Sequence, residues 1–103
     1  MFQLVLSTCP NKEVADNIAQ HLVTERLAAC VNIIPSVTSV YIWQDELQCD
    51  QEVQLFIKTD SALLTKLNTR INALHPYDVV EVIALNIQQG DTHYLNWIAE
   101  LLK

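Results

Sequence analysis

The side chains that could do chemistry in this sequence are a histidine, a thiol and a few carboxylates near predicted strand ends. His75 precedes Pro76 where a helix is predicted to end, and imidazole is a common ligand of copper and zinc. The same position also suits a histidine that only caps the helix and interacts with its dipole. Asp78 follows closely, and its carboxylate could supply an oxygen ligand or a general base, or simply be solvated.

The three cysteines, Cys9, Cys30 and Cys49, are widely spaced. An odd number of such thiols favours reduced cysteines over a disulfide framework. Cys9 falls in the predicted loop between the first strand and the first helix, where a helix N-terminus lowers a thiol pKa. It is therefore either a reactive thiol or a packing residue. Cys30 is predicted to be a small buried apolar residue.

Two further carboxylates and a lysine could line a cleft. Glu52 and Glu81 would supply oxygens or a general base, and Lys58 could pair with either one or hold an anionic ligand. An enzyme built on these three residues is one alternative, although no motif positions a nucleophile beside them. The chain has a single glycine, which excludes most phosphate-binding loops. We therefore predict that the protein is not an enzyme.

The elements that must position these residues are four predicted strands and three predicted helices. Alternating apolar residues predict strands over residues 2–8, 29–43, 47–59 and 79–87. Apolar residues at helical spacing predict helices over residues 11–27, from Asp60 to Leu74, and after Asp91. The order β-α-β-β-α-β with right-handed crossovers predicts an α+β, ferredoxin-like sandwich with an extra C-terminal helix. Residues 1–103 form one such domain.

In this arrangement two helices cover only one face of the sheet. We expect the open face to carry apolar and polar side chains together: Val5, Phe56, Val80 and Val82 among Gln3, Gln54 and Lys58. An exposed apolar patch usually marks an interface, and the long hairpin between Cys30 and Phe56 leaves backbone groups that another chain can pair with. The sequence thus predicts a closed homo-oligomer. Aromatic residues are predicted to anchor its interfaces: Tyr41, Trp43, Tyr77 and Trp97.

The composition argues against several classes of partner. Twelve acidic residues against six basic ones give a formal charge of -6, and no basic patch is present to bind nucleic acid. The apolar runs are far too short to span a membrane. No basic stretch or apolar signal core follows Met1. We expect a cytoplasmic protein with neither nucleic-acid nor membrane partners.

Several blocks of the sequence, taken in order, carry a resemblance to one family. They are Thr-Cys-Pro at 8–10, Leu-Ala-Ala-Cys-Val-Asn at 27–32, Tyr41 with Trp43, Glu52, Ile-Lys-Thr at 57–59, His-Pro-Tyr at 75–77, Glu81, and Tyr94 with Trp97. Through these blocks the sequence resembles the CutA divalent-cation-tolerance family over nearly the whole chain. The resemblance implies a ferredoxin-like domain assembled as a homotrimer, similar to PII-type signalling proteins, with clefts between subunits. It also implies a role in tolerance of copper and other divalent metals.

The resemblance assigns roles to the candidate residues. We expect His75, with Cys9 or Asp78, to contact copper or another divalent metal. Ser7 and Leu74 stand where some metal-binding members carry a cysteine and a histidine. We expect a ligand-binding cleft to be lined by Cys30, Glu52, Lys58, Tyr77 and Glu81. The alternative is a PII-like regulator whose clefts bind a small molecule or a partner protein, with metal binding incidental.

Overall fold

The structure, a computed structural model, describes residues 1–103. Its elements follow one another as β1 (Phe2–Cys9), α1 (Lys12–Thr24), β2 (Cys30–Trp43), β3 (Glu46–Asp60), α2 (Leu64–Leu74), β4 (Ile83–Asn86) and α3 (Thr92–Leu102). The strands form one antiparallel sheet in the order β2-β3-β1-β4. This confirms the predicted α+β, ferredoxin-like fold with a third helix at the C-terminal end. No helix combines the length and the apolar character that crossing a membrane would require.

Helix α1 is bounded by a cap at each end. The Asn11 side chain accepts a hydrogen bond of 2.9 Å from the Val14 N–H, as an N-cap residue does. At the other end Arg26 adopts a left-handed conformation with a φ of 60°, and the Leu27 N–H donates to the Leu22 carbonyl. This Schellman-type ending stops the helix before the predicted boundary at residue 27 and turns the chain into β2.

The other two helices begin at the predicted acidic caps. Asp60 accepts from the Ala62 N–H at 2.9 Å and opens a 3₁₀ turn over Ser61–Leu63, which continues into α2. Asp91 accepts from the Tyr94 N–H at 3.0 Å and starts α3. In each case a carboxylate satisfies a backbone donor that lacks a helical partner.

The core lies between the sheet and helices α1 and α2. The buried and open faces of β1 are the reverse of those predicted. Val5 pairs with Ile57 and is fully buried with it, so the expectation that Val5 and Gln3 lie on the open face is wrong. Gln3 tolerates burial because its amide donates to Asn86 Oδ1 at 2.7 Å. The core comprises Val5, Cys9, Ala15, Ile18, Leu22, Ala28, Val53, Leu55, Ile57, Leu67 and Ile71, with Val80 and Val82 packed against it.

The open face is apolar, and Phe56 lies on it as predicted, but Leu4, Leu6, Ile83 and Leu85 take the places expected for Val5, Val80 and Val82. It presents apolar side chains from three strands: Leu4, Leu6, Phe56, Ile83 and Leu85. Helix α3 covers one end of this face, because Ala99 and Leu102 lie beside Phe2 and Asp60, which pair at that end of β1 and β3. The rest of the face has no cover within the chain.

Strand β4 is shorter than predicted. It pairs with β1 only over Ile83–Asn86, whereas the predicted strand began at residue 79. Val80 and Val82 instead pack against the core from an irregular segment. This segment, residues 75–82, leaves the end of α2 and faces the β2–β3 hairpin across a groove.

The β2–β3 hairpin extends beyond the body of the domain. Its outer part, residues 37–52, is called the arm here and follows a bulge at Pro35 and Ser36. A two-residue turn closes it, with positive φ at both Gln44 and Asp45, as in a type I′ turn. The molecule measures 45 × 25 × 22 Å. The β2 side of the arm is the free edge of the sheet.

Candidate functional site

A cleft of about 790 Å³ separates the arm from the irregular segment after α2; it is called the arm cleft here. It is lined by Thr8 at the end of β1, by Ser39, Val40, Tyr41, Trp43 and Glu52 of the arm, and by residues 76–81. The side chains of residues 39, 41 and 43 share one face of β2 because strand side chains alternate. Glu52 follows on β3 opposite Val37, on the same face.

Glu52 is the most buried polar group of the arm cleft. Only 7% of its surface is exposed, and its Oε2 accepts a hydrogen bond of 2.8 Å from the Tyr77 hydroxyl. Burial, followed by this bond to a carboxylate, raises the pKa of Tyr77 well above its ordinary value. Tyr77 is therefore a firmly protonated donor, and it joins the irregular segment to the arm.

A second tyrosine–carboxylate pair stands on the arm beside the first. The Tyr41 hydroxyl donates to Asp50 Oδ2 at 2.5 Å. That hydrogen bond is the main cause that raises the pKa of Tyr41 to about 12. Three carboxylates line the arm cleft, those of Glu52, Asp78 and Glu81, and no lysine, arginine or histidine does, so the arm cleft has a negative potential.

The His75 side chain links the end of β1 to the segment after α2. It is 8% exposed, and its Nε2 donates to the Thr8 carbonyl at 2.7 Å, while its Nδ1 accepts from the Tyr77 N–H at 3.2 Å. Its ring also packs on the Tyr77 ring, with centroids 4.6 Å apart. Both ring nitrogens are thus engaged by the backbone, which leaves no lone pair for a metal.

The predicted metal ligands do not assemble. Cys9 is fully buried in the core, and burial, with a smaller effect from the Glu52 charge, raises the pKa of its thiol to about 11. It therefore keeps its proton at neutral pH and packs as an apolar residue. Asp78 is exposed on the irregular segment. No group of three His, Cys, Asp or Glu side chains could hold a metal, so His75, Cys9 and Asp78 do not fit a metal centre within one chain.

The predicted cleft residues divide into two places. Glu52, Tyr77 and Glu81 line the arm cleft, whereas Cys30 and Lys58 lie on the open face of the sheet. The Lys58 ammonium is 3.9 Å from Cys30 Sγ and donates to the Asn32 side chain. Lys58 follows Glu52 by six positions along the extended strand β3, which is about 20 Å. The expected pairing of Lys58 with Glu52 or Glu81 is wrong, because Lys58 forms no ion pair.

Two residues predicted only as interface anchors turn out to line the cleft. Tyr41 and Trp43 both face it from the arm. The signal that could have found them is their spacing of two, which places both on one face of β2 together with Ser39. The sequence pattern does not show how close Tyr41 and Trp43 lie to the segment after His75, because that distance depends on the direction in which α2 brings the chain back toward the arm.

Comparisons with known proteins cover the arm, the cleft and the core together. The family model described as CutA1 divalent ion tolerance protein matches residues 3–101. The divalent-cation tolerance protein CutA of Thermus thermophilus is 52% identical over 100 residues, which cover 97% of each chain. Protein CutA of Homo sapiens is 48% identical over 94 residues, 91% of this chain and 52% of the human protein. The chain thus spans about half the length of several eukaryotic relatives.

Solved structures show the same similarity in three dimensions. The divalent cation tolerance protein of Thermus thermophilus superposes with a TM-score of 0.97 at 50% identity and covers 100% of both chains. CutA of Xylella fastidiosa superposes with a TM-score of 0.96 at 42% identity, over 99% of this chain and 98% of its own. The arm cleft therefore lies within the part of the chain that these proteins share.

Proposed function

The chain belongs to the CutA1 divalent ion tolerance family, and from this premise we propose that it binds a small ligand in its arm cleft, without enzymatic turnover, as part of the response to divalent metals such as copper. One observation carries the proposal: a cleft of about 790 Å³ with aromatic walls and a few fixed polar groups. Cavities of roughly 300–1,000 Å³ with these properties are typical small-molecule sites.

We propose that the working unit is a homotrimer with the clefts at its subunit boundaries. The open sheet face leaves Ile83 and Leu85 exposed, and the arm leaves Ile42 and Leu47 64% and 71% exposed. The sheet also has two unpaired edges, β2 and β4. Different edges on one chain suit a head-to-tail contact that closes into a ring. The number three follows from the family resemblance.

The predicted metal-binding side chains are already engaged or buried, which favours a bound molecule over a directly bound metal ion. The imidazole of His75 is occupied on both nitrogens, and the Cys9 thiol is buried and protonated. The link to divalent metals comes from the printed names of the relatives. We propose that the clefts serve a PII-like regulatory role and that no metal is held by His75, Cys9 and Asp78. All three cysteines are free, which is compatible with the proposed cytoplasmic location.

Calorimetric titration of Cu²⁺ and Zn²⁺ tests the metal part of this proposal. Wild type and His75→Ala should bind either ion equally weakly. The matched control is His93→Ala, since His93 is an exposed histidine on α3. Tight binding that is lost in His75→Ala and kept in His93→Ala would contradict the proposal and restore His75 as a ligand.

Light scattering coupled to size-exclusion chromatography tests the assembly. We expect a mass three times the 11.7 kDa of one chain at low micromolar concentration. The double variant Ile42→Asp, Leu47→Asp should shift the mass toward one chain, because it places charges on the apolar surface of the arm. Val23→Asp, on an exposed position of α1, should leave the mass unchanged. A stable monomer of the wild-type chain would contradict the homotrimer.

A further inference from the structure

We propose that the arm cleft selects a small organic cation, a primary ammonium or guanidinium group carried on an apolar or aromatic body. This inference rests on the proposed function, because it names the ligand class of the same cleft. Three independent features of the cleft support it: the sign of its charge, one incompletely paired buried carboxylate, and its aromatic walls.

The charge of the lining excludes an anionic ligand. Glu52, Asp78 and Glu81 line the arm cleft, and no basic side chain does. The free cation that could have held an anion, Lys58, lies on the open face of the sheet instead. A carboxylate or phosphate ligand would therefore meet only like charge, whereas a cation is attracted into the cleft.

Glu52 supplies the specific anchoring point. Its residue surface is more than nine-tenths buried, and its Oε2 accepts from the Tyr77 hydroxyl. Its Oε1 has no partner among the side chains but is not a buried unpaired atom, so it is open to a ligand that enters the arm cleft. Glu52 forms no ion pair either. A buried carboxylate is costly unless it is paired with a cation and fully hydrogen-bonded. An N–H donor of a bound ammonium or guanidinium group would satisfy Oε1 and neutralise the charge in one contact.

The walls favour an organic cation over a metal ion. Tyr41, Trp43 and Tyr77 present aromatic surface to the arm cleft, and aromatic faces attract organic cations and pack against apolar bodies. A hard divalent ion would instead need about six oxygen ligands around one point. The carboxylates of the cleft are too dispersed for this, since no three acidic or metal-ligating side chains form a group.

Calorimetric titration with benzylammonium at neutral pH tests the inference on the assembled protein. Benzyl alcohol is the neutral probe and benzoate the anionic probe of similar shape. We expect benzylammonium to bind at least about tenfold more tightly than either, as a charge-assisted hydrogen bond to a buried carboxylate implies.

Two variants locate the site. Glu52→Gln keeps an acceptor for Tyr77 but removes the charge, and it should weaken benzylammonium binding about tenfold or more. Glu100→Gln makes the same change of net charge at an exposed position of α3 and should have no effect. Trp43→Leu leaves Glu52 intact and should weaken benzylammonium binding severalfold. It provides a second test of the site in case Glu52→Gln disturbs folding. Circular dichroism checks that both variants are folded.

The outcomes separate this inference from the proposed function. Equal binding of the three probes, or equal losses in Glu52→Gln and Glu100→Gln, overturns the cationic ligand class and leaves a ligand cleft in place. If the assembled protein binds no probe, the inference is overturned; weaker assembly of Glu52→Gln would then indicate that a side chain of a second copy fills the cleft. No probe binding by a chain that does not assemble would overturn the proposed function as well.

Discussion

The burial of the Cys9 thiol predicts a specific loss of stability at alkaline pH. The thiol pKa is raised from 9.0 to about 11 in the folded chain, because the thiolate would lie in the core near the Glu52 charge. A raised pKa contributes stability that is fully present below the unfolded value. That stability is lost as the pH rises through the folded value.

The magnitude follows from the size of the shift. One unit of pKa corresponds to about 1.36 kcal/mol. Titration of this thiol should therefore lower the free energy of unfolding at pH 10 by about 1.4 kcal/mol relative to neutral pH. Well above pH 11 the loss should approach about 2.7 kcal/mol. Replacing Cys9 by alanine removes this titration and, separately, lowers stability by a pH-independent amount of about 1–2 kcal/mol through lost packing.

Urea unfolding of wild type and Cys9→Ala at pH 8, 9 and 10, at one protein concentration, measures the effect. The difference in the free energy of unfolding between the two should shrink with rising pH by the amounts above. Other groups that titrate in this range, including Tyr41 and Tyr77, are common to both proteins and cancel. If the free energies of unfolding of wild type and Cys9→Ala changed with pH in parallel, the Cys9 thiol would not be buried and protonated as described, and Cys9 would again be a candidate thiolate ligand.

Three further perturbations test other parts of the structure. Thr59→Val should lower the free energy of unfolding by about 1–3 kcal/mol, because the buried hydroxyl donates at 2.7 Å to the carbonyl of residue 27; urea unfolding measures it, and a neutral result contradicts the bond. Tyr77→Phe should cost about 1.5–3 kcal/mol, since it strips the donor from a buried carboxylate, whereas Tyr41→Phe on the exposed arm should cost less; equal costs would contradict the burial argument. The double change Gln44→Asn, Asp45→Gly should raise the melting temperature, because both residues have positive φ and the new pair suits a type I′ turn; a lower melting temperature would contradict that turn.

Most of the fold could be predicted because local signals and the global arrangement agree. Asp60 and Asp91 cap helices where the sequence places them, and the alternation of β3 identifies its buried face. The phase of β1 could not be predicted in the same way. Period two shows which residues share a face, but both faces of β1 carry apolar residues, and Gln3 looks like a surface residue until Asn86 provides its partner.

The site was harder to predict because it depends on contacts between distant segments. Glu52, Tyr77 and Glu81 lie together along the arm cleft, whereas Lys58 does not, and its spacing from Glu52 along an extended strand already excludes contact. The engagement of His75 by the Thr8 carbonyl joins residues 67 positions apart. No sequence pattern signals that a histidine is satisfied by backbone groups in this way.

The position of His75 changes how its variants should be interpreted. Its ring holds the Thr8 carbonyl on one side and the Tyr77 backbone on the other, and the Tyr77 hydroxyl in turn reaches Glu52. Removing the imidazole would therefore loosen the wall that carries Tyr77 and disturb the carboxylate inside the arm cleft. A functional defect in His75→Ala is thus expected from lost positioning alone. Loss of metal ligation can be inferred only if direct titration shows a metal that the wild type binds and the variant does not.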